Sequence, residues 1–272
     1  MKSAVTVSLV PEARGGPFVF WDDLAAACRT AKALGFDAIE LFPPGPDAVD
    51  PRDLRELLDD NGLSLAAVGT GAGWVKHKLS LTAADGATRD KALDFVKKVI
   101  EFAGPFGAPV IIGSMQGRAD DAVPKPVALR YLGNALFKLD EHAGDYDTRV
   151  LYEPLNRYET NLVNTQSDGA AFLAGLGVQR VALLCDLYHM NIEEVNLADA
   201  LRAAGKYVGH VHFADSNRRA AGMGHTDFTP VVKALREIGY AGYLSAEVLP
   251  LPDPEAAARQ TIEAFKEAMA RG

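Results

Sequence analysis

Cysteine is nearly missing: Cys28 and Cys185 are the only two. Two cysteines cannot build a disulfide framework, and neither sits in a Cys-x-x-Cys pair, which argues against a thiolate metal site. No apolar run approaches the roughly 18–20 residues that a membrane-spanning helix needs. Basic charge is in deficit, with 28 Lys and Arg against 36 Asp and Glu and a formal net charge of −8. That balance argues against a nucleic acid or an anionic membrane as partner. A glycine-rich dinucleotide fingerprint is missing after the first apolar run, where Arg14-Gly15-Gly16-Pro17 stands instead. There is no Pro/Ser-rich linker, low-complexity tract or charge block. The opening segment has one Lys and a short apolar stretch followed by Pro11, Glu12 and Arg14, which fits a first β-strand better than a signal peptide. A cytoplasmic location is the expectation from these absences.

What is present is ordinary for a folded protein: 48% of the 272 residues are hydrophobic and 24% charged. Short apolar, β-branched runs alternate with longer segments of helical period. Strands are expected at Ala4–Val10, Ala38–Phe42, Ser64–Gly69, Pro109–Gly113, Arg149–Pro154, Val181–Leu187, Val208–Ala214 and Tyr243–Val248. Helices are expected at Asp22–Leu34, Pro51–Asn61, Thr88–Phe106, Pro124–Ala143, Ser167–Leu176, Leu197–Ala204, Thr229–Ile238 and Pro254–Ala270. Gly35, Gly62, Gly107, Gly144, Gly177, Gly205 and Gly239 stand at or just past helix ends, where a left-handed residue is wanted. Asp50-Pro51 and Asp253-Pro254 read as an N-cap followed by proline in the first turn. Strict alternation repeated eight times, with strands apolar throughout, predicts a (β/α)₈ TIM barrel over 1–272 as one domain. The competing fold is an open doubly wound sheet. The longest connection, Thr70–Ala87, is a candidate active-site wall or lid.

In such a barrel the chemistry belongs at the C-terminal ends of the strands. The last four predicted strands each interrupt an apolar run there with an ionisable residue: Glu153, Asp186, His212 and Glu247. Four adjacent strands would thus place three carboxylates and one imidazole on one arc of the barrel mouth. Carboxylates so close repel unless a cation stands between them. An oxygen-rich set with one imidazole suits Mn²⁺ first, with Mg²⁺ or Co²⁺ as alternatives, over a structural zinc. Of His210 and His212, one is expected to face the lumen; His212 is chosen as nearer the strand end, leaving His210 outward or behind the site. Asn156, Arg157, Glu159, Asn161, His189, Asp215, Ser216, Asn217 and Arg218 follow the strand ends closely. So many polar groups suit a sugar or polyol, with His189 and Arg218 the foremost candidates. His225, in the glycine-rich loop Gly222–Phe228, is a candidate substrate-binding residue, and Trp74 is a candidate pocket wall. His77 and His142 are expected on the surface.

Glu153-Pro154-Leu155-Asn156-Arg157-Tyr158-Glu159, Cys185-Asp186-Leu187-Tyr188-His189-Met190, His210 to Arg218 and Ala246-Glu247 together resemble the sugar-phosphate isomerase/epimerase superfamily. These are the xylose-isomerase-like TIM barrels, and within them the likeness is to the ketose 3-epimerases and 5-keto-L-gluconate epimerase. The resemblance implies that Glu153, Asp186, His212 and Glu247 hold one divalent metal, and that Glu153 and Glu247 are the acid–base pair. It implies that Glu159, His189 and Arg218 hold substrate oxygens. The short chain and the Gly222–Phe228 loop look closer to the keto-acid epimerase.

The residues themselves suggest the same chemistry. A proton next to a carbonyl needs stabilisation of the enediolate that its removal creates. Two carboxylates flanking the substrate can take a proton from one face and return one to the other. The expected activity is epimerisation of a ketose or keto-sugar acid at the carbon beside the carbonyl. An aldose–ketose isomerase on the same metal site, of hydroxypyruvate- or xylose-isomerase type, is the alternative. A repair endonuclease would want further His ligands and a basic track, and a non-catalytic sugar-binding barrel would not need both glutamates. A small sugar is the expected partner, without nucleic acid or membrane, in a chain compatible with a homo-oligomer.

Overall fold

The computed structural model describes residues 1–272. Nine parallel strands form one sheet: β1 (Lys2–Ser8), β2 (Phe20–Trp21), β3 (Ala38–Phe42), β4 (Ser64–Gly69), β5 (Val110–Ile112), β6 (Val150–Tyr152), β7 (Val181–Asp186), β8 (Val208–His212) and β9 (Tyr243–Ala246). The sheet closes because β1 pairs with both β3 and β9. The two-residue β2 only extends the upper end of β1, beside Val7 and Ser8. What remains is an eight-stranded (β/α)₈ barrel, as the alternation predicts. The doubly wound alternative is excluded by that closure.

The ten helices are α1 (Leu24–Leu34), α2 (Pro51–Asn61), α3 (Ala72–Val75), α4 (Gly86–Ala103), α5 (Lys125–Asp145), α6 (Gln166–Leu176), α7 (Leu187–Glu193), α8 (Leu197–Ala204), α9 (Phe228–Glu237) and α10 (Pro254–Arg271). Eight of the ten starts are fixed by side chains that accept orphan backbone N–H groups: Asp50 at α2 and Asp253 at α10, as expected, and also Asp23, Asp85, Thr165, Asp186, Asn196 and Asp227. Six of the seven expected glycines take positive φ. Gly144 does not: α5 runs on to Asp145, and Asp147, at φ 48°, makes the left-handed turn instead. Two short helices lie outside the predicted pattern. α3 stands in the Thr70–Ala87 connection, and α7 starts directly at the end of β7. Neither is long enough to show a helical period.

Period-two alternation decides what fills the lumen. Phe42, Ala67, Ile111, Leu151, Ala182 and Leu184 form an apolar cluster of their own, and Ala4, Ala38 and Ala66 a smaller one. The large core cluster is separate from both. Along β7 the series Ala182, Leu184, Asp186 keeps one face, and along β8 His210 stands opposite Leu184 and His212 opposite Asp186. His210 and His212 therefore point the same way. The expectation that only one faces the lumen is corrected here: residues two apart share a face, and Val211 is the one that points outward.

Candidate active site

The lumen series ends at the top of the barrel in Glu153, Asp186, His212 and Glu247, from four neighbouring strands. All four are buried. His212 is central: its Nδ1 lies 3.3 Å from Asp186 Oδ2, 3.4 Å from Glu247 Oε2 and 3.8 Å from Glu153 Oε1. Asp186 is aimed by the helix that follows it. As N-cap of α7, its Oδ1 accepts the backbone N–H groups of Tyr188 (2.8 Å) and His189 (3.4 Å), which leaves Oδ2 for the cluster. Glu153 needs the glycine opposite. A Cβ on Gly113 would stand 2.5 Å from Glu153 Oε2, so a side chain there would move that carboxylate from its place.

Electrostatics follow from three acids sharing a buried site. Burial, together with repulsion from Glu247 and Asp186, holds Glu153 well above the usual carboxylate range despite the pull of His212. Burial also opposes ionisation of Asp186, but His189, Arg218 and His212 outweigh it and hold that carboxyl low. His212 is raised well above its ordinary value, because Glu247, Glu40 and Asp186 overcome the cost of burial. Burial leads the opposite shift in His189, whose pKa is lowered.

Glu40 of β3 is a site residue that the strand-end pattern does not single out. It is fully buried, with Oε2 2.6 Å from His210 Nε2 and Oε1 2.9 Å from His212 Nε2. Burial would raise its pKa, but the two imidazoles hold it well below the usual range. The signal was a lone charge in the apolar run Ala38-Ile39-Glu40-Leu41-Phe42, since a buried charge requires a partner. By accepting from Nε2 of His212, Glu40 leaves Nδ1 as the nitrogen turned to the three acids. His210 thus backs the site from one layer deeper, inside the lumen.

The donor set fits a divalent cation. Glu153, Asp186 and His212 each offer one ligand atom within 4.8 Å of the others, and Glu247 reaches His212 Nδ1 at 3.4 Å. Oxygen-rich ligation by carboxylates and one imidazole suits a hard ion. Glu40, His210 and His212 also lie close enough together to be considered as ligands. Their nitrogen–oxygen contacts of 2.6 and 2.9 Å are hydrogen bonds, however, and they place Glu40 behind His212 rather than beside it. Replacing Glu40 by Gln should weaken divalent-metal binding by about 10–100-fold, the usual effect of losing such a supporting partner. A metal titration of the folded variant reads this; unchanged affinity would show that His212 needs no such orientation.

Above the cluster lies a cavity of about 450 Å³. Glu153, Glu247, Glu159, His189, Arg218 and Trp74 all line it. The Arg218 guanidinium is 2.5 Å from Glu247 Oε2 and 3.7 Å from Glu159 Oε1, and lies over the Tyr188 ring at 4.7 Å. His189 Nδ1 is 2.7 Å from Asn156 Nδ2. Thr70, Gly71, Ala72, Trp74 and Val75 of the long connection supply one wall. A second wall comes from the loop after β1, with Glu12, Arg14 and Phe18, and Phe18 packs on Phe42 with ring centroids 4.4 Å apart. That loop carries no period or motif, so nothing in the sequence marks it. His225 is not brought into this cavity. It is exposed, and its backbone N–H is bound by Ser216 Oγ at 3.1 Å. Asp215 organises the glycine-rich loop, accepting from Ser216, Gly222 and Thr226 backbone N–H groups. His77 is exposed and His142 half-buried against Glu101.

Comparison with known proteins places this architecture. A D-psicose 3-epimerase from Agrobacterium fabrum is 32% identical over 221 residues, covering 79% of this chain and 75% of that one. A 3-dehydro-D-guloside 4-epimerase from Escherichia coli is 29% identical, covering 84% and 88%. The crystal structure of a D-psicose 3-epimerase in the presence of D-fructose superposes with a TM-score of 0.81 at 23% identity, covering 100% of both chains. That last likeness concerns the fold. The profile of the xylose isomerase-like TIM barrels matches residues 28–268, and the chain belongs to that family.

Proposed function

We propose that this protein is a divalent-metal-dependent epimerase of a ketose or keto-sugar acid, inverting the carbon beside the carbonyl. The observation that carries the reading is the placement of Glu153 and Glu247 at the two ends of the buried cluster, with Asp186 and His212 between them. The epimerase activities named for the two relatives above support the reaction class.

Each glutamate turns one oxygen to His212, Oε1 for Glu153 and Oε2 for Glu247. The other oxygen of each remains for proton transfer. One glutamate takes the proton from one face of the substrate, and the other, as the acid, returns a proton to the opposite face. A cation held by Glu153, Asp186, His212 and Glu247 would stabilise the negative charge that develops on the substrate oxygens. Arg218 and His189 sit beside the same carboxylates and orient the substrate oxygens, while Glu159 accepts from a hydroxyl at the half-exposed rim, where its side chain is 45% exposed. Phe18, Phe42 and Trp74 keep the opposite walls apolar and shield the enediolate from water.

The test is a screen of purified protein with Mn²⁺ against ketoses and keto-sugar acids, following product configuration. An epimer differing at the carbon beside the carbonyl is the expected product. An aldose as the main product would replace this reading with the isomerase.

A further inference from the structure

A second cleft, of about 570 Å³, adjoins the catalytic cavity, and the two share Trp74, Ser114, Leu155 and Glu159 as common wall. Beyond that wall the lining turns polar, with Lys78, Ser80, Thr82, Arg118 and Asp120. We infer that this cleft is a second sugar-binding subsite, so that the enzyme acts on a keto-sugar carrying a further glycosyl unit. The inference rests on the epimerase reading above and extends it to the size of the substrate.

Three observations favour a sugar ring there. First, Trp74 stands at the junction with 42% of its surface exposed, and it lines both spaces. An aromatic face flanked by hydrogen-bonding groups suits a ring that has C–H faces and a hydroxyl edge. Second, the floor is hydrogen-bonded and tied to Glu153. Thr82 donates to the carbonyl of Gln116 at 2.9 Å, and the Gln116 amide donates to the carbonyl of Glu153 at 2.8 Å. Gly117, at φ +84°, completes the floor; a Cβ there would lie 2.2 Å from both the Ser80 and Thr82 hydroxyl oxygens. Third, the polar rim is held in place. Arg118 donates from Nη1 to the carbonyl of Tyr158 at 2.8 Å, and Lys78 Nζ donates to the carbonyl of Val75 at 3.1 Å. The remaining N–H groups of both are available to hydroxyls, at little further ordering cost. A substrate with its reacting carbon between Glu153 and Glu247 could extend past Trp74 and Glu159 directly into this space.

The experiment compares D-fructose with its 4-O- and 6-O-glycosyl derivatives, using the metal-loaded enzyme. At least one two-ring sugar should show a kcat/KM about tenfold above that of the free ketose, the gain from one or two added hydrogen bonds. Ala84→Trp, which fills the exposed cleft, and Arg118→Ala should each bring that ratio towards one while leaving turnover of D-fructose unchanged. Equilibrium binding of cellobiose, which has no ketone, gives a readout free of turnover: wild type should bind it more tightly than Ala84→Trp. A wild-type ratio of one or less for every two-ring sugar, with equal cellobiose binding by both proteins, would overturn the subsite and leave the epimerase intact. Tighter cellobiose binding without any epimerisation would overturn the epimerase and leave the subsite.

Discussion

Glu153→Gln and Glu247→Gln should each lower epimerisation by at least about 10²–10⁴-fold, the contribution of a positioned acid or base. The amide is close in shape to the carboxylate but cannot exchange a proton. Folding should survive, because both side chains lie at the open end of the lumen, above the apolar layer of Phe42, Ile111, Leu151 and Leu184. The two variants should differ in one respect. Glu247 also neutralises Arg218 at 2.5 Å, so Glu247→Gln leaves a partly buried guanidinium with Asp186 and Glu159 as its remaining acids, at 3.6 and 3.7 Å. That variant should therefore lose substrate affinity as well as turnover, whereas Glu153→Gln should mainly lose turnover. Metal content must be measured beside both rates, since each residue also belongs to the proposed ligand set. A variant that holds metal and turns over near the wild-type rate would remove its glutamate from the mechanism.

Exhaustive chelation should abolish turnover, and Mn²⁺, Co²⁺ or Mg²⁺ should restore it. The physical reason is the cluster itself, three acids and an imidazole brought together out of water. Burial first, and then its acidic neighbours, hold Glu153 high, and a cation among the acids would relieve the repulsive part. Asp186→Asn should reduce metal affinity more than either glutamine variant reduces it, because the helix cap fixes Oδ2 in position for a ligand. A chelated protein, verified metal-free and fully active, would contradict this.

The four residues of the buried cluster could be read from the sequence because a charge closing an apolar strand is unusual, and because it recurs on four consecutive strands. The barrel was legible for a related reason: β3, β4, α2 and α8 have the predicted bounds, since apolar periodicity and Asp/Gly punctuation mark both ends. Other features left no such trace. Glu40 lies in mid-strand, and its role depends on His210 and His212, 170 and 172 residues away. α7 occupies a stretch that reads as loop, so the capping role of Asp186 is invisible beside its charge. The loop after β1 reaches the cavity only through barrel closure, which no local pattern encodes. His225 shows the reverse error. A histidine in a glycine-rich loop reads as functional, yet Asp215 and Ser216 bind that loop's backbone and leave the imidazole outside the cavity.

In the proposed reaction the two glutamates work on opposite faces of one carbon. Running the reaction in heavy water and stopping within the first turnovers tests it directly. With separate acid and base, the removed proton and the returned proton differ, so product should carry solvent deuterium at the inverted carbon from the first turnover. A glutamine variant that still holds metal should exchange label at one configuration without inverting it. Product that keeps its original hydrogen at the inverted carbon would instead mean transfer by a single base, and would contradict the two-glutamate account.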